Sequence, residues 1–107
     1  MVDNYGLKEN TMFIYASDHG LSGKWSLKEQ GLRVPFIVRW PGKIKPNTTS
    51  ETLLTLVDVL PTILEVSNTE IPSEIDGKSF LETLNGSKMK IHDYVFCLLY
   101  TSDAADD

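Results

Sequence analysis

Asp18 and His19 stand side by side directly after the apolar run Thr11-Met12-Phe13-Ile14-Tyr15-Ala16, and Gly20 and Gly23 follow within five residues. A carboxylate offers oxygen to a hard cation and an imidazole offers nitrogen, so the pair has the donor types of a metal site. Lys24 comes next, a compact positive charge with three donors. It belongs to a wider pattern: between His19 and Ser50 the bases Lys24, Lys28, Arg33, Arg39, Lys43 and Lys45 face a single acid, Glu29, although the whole chain carries a net charge of −5. Such a segment would draw an anionic small molecule toward Asp18, and a solvated surface with no ligand has the same composition.

The elements that must position these residues read as an alternating α/β pattern. The run Thr11 to Ala16 suits a strand buried on both faces of a parallel sheet, with its end delivering Asp18 and His19 to the ligand edge. Trp25 to Gly31 is polar and turn-rich, and Val34 to Trp40 is a second strand with Pro35 at its start and Pro41-Gly42 at its end. Lys43 to Ser50 is a polar loop in which Asn47-Thr48-Thr49 has the form of a glycan acceptor and reads as a surface turn. Leu53 to Leu56 suggests a short strand. Asp58 reads as the N-cap of a helix to about Val66, with Pro61 in its first turn and Leu60, Ile63 and Leu64 on one face. Ile71 to Gly77 is a loop, Ser79 to Leu84 a turn or two of helix ended by Asn85-Gly86, and Tyr94 to Phe96 opens another strand. Met1 to Asn10 reads as the end of a helix closed by Gly6. His92, outside any motif, reads as a surface residue, and Trp25 and Trp40 as packing residues.

The limits are equally informative. One cysteine, Cys97, excludes an internal disulfide, and no signal peptide or membrane-length apolar run occurs in these 107 residues. No nucleic-acid partner is expected.

Ser17-Asp18-His19-Gly20, Gly23-Lys24-Trp25, Glu29-Gln30-Gly31-Leu32-Arg33-Val34-Pro35 and Arg39-Trp40-Pro41-Gly42 together resemble the sulfatase family of the alkaline-phosphatase-like superfamily. The resemblance continues in order through Val57-Asp58, Pro61-Thr62 and Ile75-Asp76-Gly77-Lys78-Ser79, and covers about Asn10 to Gly86. It implies an α/β fold, a fragment of the catalytic domain with a mostly parallel sheet flanked by helices. It gives Asp18 and His19 as ligands of a divalent cation, usually calcium, and Lys24 as the contact to the sulfate ester. Whether the His19 ring ligates directly or hydrogen-bonds a ligand stays open. Glu29 and Arg33 are expected in structural ion pairs. The implied partner is a small sulfate ester or a sulfated glycan, and the implied compartment lies outside the cytoplasm.

The same resemblance shows what this stretch lacks. Sulfatases attack with a formylglycine made from Cys or Ser in C-x-P-x-R, and no such motif occurs here. Cys97 is followed by Leu98, Leu99, Tyr100 and Thr101 and cannot be that residue. The fragment alone is therefore expected to be inactive and to bind metal weakly. A phosphatase, phosphodiesterase or phosphonate hydrolase of the same superfamily, or a non-catalytic remnant, is the alternative. The expected divisions are 1–90 as partial catalytic domain, 91–96 as the start of a C-terminal subdomain, and 97–107 as a non-native tail. The last of these, CLLYTSDAADD, resembles the in-frame translation of a transposase mosaic end and its adapter.

Overall fold

The computed structural model describes residues 2–22, 24 and 26–97. The chain divides into two compact units: residues 2–40 with Phe96 and Cys97, and residues 41–95.

In the first unit, strand β1 (Phe13–Ala16) pairs with strand β2 (Phe36–Arg39). The pairing is antiparallel, with Phe13 opposite Arg39 and Ala16 opposite Phe36. The parallel arrangement expected for this stretch is thus not what joins these two strands. A parallel neighbour needs a crossover of a dozen or more residues that packs back on the sheet, whereas the segment between β1 and β2 folds on itself and returns the chain alongside. Burial on both faces is corrected as well: Phe13, Tyr15 and Ile37 share one face of this ribbon by register, and all three are exposed. Two strands alone cannot cover both faces.

Between the strands lies helix α1 (Glu29–Leu32), which sequence polarity concealed. It is a single turn, held by Gly31 and Leu32 N–H groups donating to the Lys28 carbonyl. Upstream, a 3-10 turn at Asp3–Tyr5 ends at Gly6, whose φ of +71° supplies the expected left-handed cap. Arg39 reaches Asp3 at 3.2 Å and ties that turn to β2.

The second unit is built round helix α2 (Val59–Val66) and the short helix α3 (Leu81–Leu84). Gly86, at φ +98°, closes α3 as Asn85-Gly86 suggested. Leu53 to Leu56 is not a strand, and a 3-10 turn at Leu56–Asp58 leads into α2. Nor does Tyr94 to Phe96 form one.

Asp58 differs from its expected role in an instructive way. Its carboxylate makes no forward cap to α2; Oδ2 turns back to accept the Thr55 N–H at 2.9 Å, while Oδ1 accepts the Lys78 N–H at 2.8 Å. The third partner is His92, whose Nε2 lies 2.8 Å from Oδ2. A carboxylate can only accept, so Nε2 carries the proton. His92 is therefore no surface residue: its side chain is 12% exposed and that of Asp58 is fully buried. Thr62 completes the interior by donating to the Asp58 carbonyl at 2.7 Å and accepting the Phe80 N–H at 3.0 Å. With Pro61 and Phe80 these residues are the buried centre of the unit. The apolar side of α2 faces the other way, leaving Leu60 and Ile63 exposed.

Candidate functional site

The site residues sit where β1 ends. After Ala16 the ladder continues in looser form, the Ser17 N–H donating to the Pro35 carbonyl at 3.3 Å. The chain then turns, and Gly20 returns it to α1 through its N–H to the Gly31 carbonyl at 2.9 Å, followed by Ser22 N–H to the Gln30 carbonyl at 3.3 Å. Asp18 and His19 form the tip between these two anchorages.

Gly20 occupies its place for reasons of space. It is buried, and a Cβ built on it would collide with the Gln30 carbonyl and lie 2.8 Å from Gly31 C. The backbone of the loop and the backbone of α1 thus touch directly, which only glycine permits. The sequence marked Gly20 and Gly31 as motif residues without indicating that they meet.

Asp18, His19 and Lys24 line one cavity of about 270 Å³, together with Ser26, Gly31, Leu32 and Cys97. The Asp18 side chain is 88% exposed and that of His19 44% exposed, so both present donors to solvent. His19 Nε2 stands 3.7 Å from Asp18 Oδ1, beyond hydrogen-bond range. Its Nδ1 lies 2.8 Å from the Gly20 carbonyl. Lys24 is exposed on the same wall.

The donor chemistry fits part of a divalent-cation site. Asp18 brings a carboxylate and His19 an imidazole to the lining of the same cavity. Among the described residues, no group of three or more His, Cys, Asp or Glu side chains converges on one point. Of the remaining bases, Arg33 is engaged with Glu29 at 3.4 Å, as expected of that pair, and Arg39 with Asp3. Trp40 is half-buried; Trp25, Gly23 and the tail from residue 98 onward fall outside the described residues.

Comparison with known proteins settles the ancestry. The family profile described as "N-sulphoglucosamine sulphohydrolase, C-terminal" matches residues 17–106. The chain belongs to the sulfatase family. An ulvan-active sulfatase of Formosa agariphila is 48% identical over 96 residues, covering 90% of this chain and 19% of that protein. An endo-4-O-sulfatase of Bacteroides thetaiotaomicron is 36% identical, covering 80% of this chain and 19% of its own length. This sulfatase chain therefore spans about a fifth of the relatives it matches.

Solved structures agree on the fold. One, described as a complex with its substrate D-glucosamine-2-N,6-O-disulfate, matches with TM-score 0.73 and 28% identity over 88% of this chain and 20% of that one. A phosphonate monoester hydrolase from Silicibacter pomeroyi matches with TM-score 0.72 and 30% identity over 79% of this chain and 18% of its own. The fold is the alkaline-phosphatase-like α/β fold of the sulfatases, and the described residues of this chain contribute an antiparallel ribbon and three short α-helices. No helix among the described residues is long and apolar enough to cross a membrane.

Proposed function

We propose that this chain is part of the catalytic domain of a sulfuric ester hydrolase acting on a sulfated glycan or a small sulfate ester. Within it, Asp18 and His19 hold a divalent cation, calcium by family resemblance, and Lys24 binds the sulfate group. The observation that carries the reading is that the three side chains line one cavity at the end of β1, in a chain whose sequence matches the family across that stretch.

Asp18 supplies an anionic oxygen, the ligand type a hard cation takes. His19 supplies a nitrogen beside it. Lys24 neutralises the sulfate and the charge that grows on it as the ester bond breaks, an effect strengthened wherever water is excluded. The cation, when bound, polarises a sulfate oxygen. The attacking formylglycine is contributed by a C-x-P-x-R segment that the 107 residues do not include, so the chain alone is inactive and binds metal weakly.

Sequencing the locus with long reads tests the reading. An upstream frame carrying C-x-P-x-R, in a protein that hydrolyses a sulfate ester, is the expected result. In that longer protein Lys24→Ala lowers kcat/KM by about 10²-fold or more. A frame that opens at Met1, or full activity in Lys24→Ala, would sink it. The same reads decide the proposed division at 96, since different codons after Phe96 would establish 97–107 as a non-native tail; the proposed division at 90 is checked by a structure of the longer protein. Export from the cytoplasm belongs to the same proposal and is checked by an upstream signal sequence.

The phosphonate hydrolase likeness supports one second reading, phosphoryl or phosphonyl transfer in the same cavity. An unmodified Ser or Thr nucleophile upstream would favour it over sulfate ester hydrolysis.

A further inference from the structure

The His19 ring is held by a bond that fixes which nitrogen is presented to the cavity. Nδ1 lies 2.8 Å from the Gly20 carbonyl oxygen. A carbonyl only accepts, so Nδ1 is the donor and, in the neutral ring, Nε2 keeps its lone pair. That Nε2 is the atom beside Asp18 Oδ1 at 3.7 Å, too far for a hydrogen bond to use it.

Gly20 is in turn fixed at its other end. Its N–H donates to the Gly31 carbonyl at 2.9 Å, and Gly31 N–H donates to the Lys28 carbonyl at 2.8 Å, so the acceptor belongs to the closed turn of α1. Both glycines are buried, and no Cβ fits on Gly20.

We propose that Gly20 and Gly31 are positioning residues whose backbone bonds, Gly31 C=O to Gly20 N–H and Gly20 C=O to His19 Nδ1–H, present His19 Nε2 as a direct donor to a divalent cation. This deepens the metal-site reading above and rests on it. Metal-ligating histidines characteristically donate their second ring N–H to a carbonyl or carboxylate, and losing such an outer contact weakens metal binding by about 10–100-fold. Adding one methyl at Gly20 separates the loop from α1 and frees the ring, while Asp18 and His19 themselves stay unchanged.

The test uses the ¹⁵N,¹³C-labelled 107-residue chain. Ring ¹⁵N shifts report the tautomer of each histidine, and His92, whose Nε2 carries a proton to Asp58, provides the contrast. The expected result is a protonated Nδ1 and unprotonated Nε2 at His19, with a scalar coupling across the Gly20 N–H to Gly31 C=O bond. Added Mn²⁺ should broaden His19 ring signals, and Gly20→Ala should lose both the tautomer preference and at least tenfold in Mn²⁺ affinity while the Lys78 and Phe80 amide signals hold their positions. A His19 protonated at Nε2 in the unaltered chain overturns the proposal whether or not the variant folds. So does a folded Gly20→Ala chain with unchanged tautomer and Mn²⁺ response. The titration runs to millimolar Mn²⁺, where even weak binding broadens nearby signals; the expected tautomer and coupling with no broadening at His19 would overturn Nε2 as a direct metal donor and leave the backbone relay established.

Discussion

A carboxylate without exposed surface must find all its partners inside the protein, and Asp58 does so with two backbone N–H groups and one imidazole. Removing it leaves three donors facing a cavity, so Asp58→Ala should cost the second unit about 3–5 kcal/mol, read by urea unfolding of the 107-residue chain. Thr62→Val is the milder probe. The shape is kept, but Phe80 N–H loses its acceptor, and about 1–3 kcal/mol should go with it. A Thr62→Val chain as stable as the original would show that Phe80 N–H finds another acceptor. At this scale the sequence reveals residue types and conceals partners. Asp18, His19 and Lys24 were legible because they are close in the chain and chemically distinctive. His92 was not, because it lies 34 positions from Asp58 and no periodicity links them.

Elements meet through glycine in both units. Gly77 has no room for a Cβ, which would strike the Val57 carbonyl and lie 3.1 Å from Asp58 Cα. The Ile75-to-Ser79 block thus docks backbone to backbone on the turn that enters α2, and Lys78 N–H reaches Asp58 from there. Gly77→Ala should destabilise the second unit by about 1–3 kcal/mol through overpacking, measurable as earlier melting of its amide signals. Gly6→Ala meets no neighbour and strains only φ, so it should cost less, about 1 kcal/mol. Helix α2 was readable from its N-terminal signals and Pro61, and both strands from their β-branched and aromatic runs. Their antiparallel pairing was not readable, since a single apolar run carries no information on its neighbour's direction. The one-turn α1 escaped for a related reason: four residues are too few to show a helical period.

Taken over the whole molecule, apolar surface is the dominant unresolved feature. Leu56, Val57, Leu60 and Ile63 lie exposed along α2 and the turn before it, while Phe13, Tyr15 and Ile37 lie exposed on the ribbon. Burying Leu60 or Ile63 fully would gain about 1.5–3 kcal/mol each, which favours self-association of the chain. Light scattering should show particles larger than a monomer, and Leu60→Lys with Ile63→Lys should return the chain toward monomer without altering the Asp58 network. Persistence of large particles in that variant would locate the sticky surface elsewhere. Periodicity put Leu60, Ile63 and Leu64 on one face of α2 and carried no information on what that face meets; the buried side is claimed by Asp58, Pro61 and Thr62.

The outward apolar face of α2 bears on how these residues sit within the longer protein proposed above. The helix has its interior bonds already complete, so Leu60 and Ile63 form a seam awaiting a neighbour and not a defect of local folding. In the longer protein a segment outside these residues is expected to close over that seam, and the joint would then be made by aliphatic contact laid over a unit that is already satisfied within.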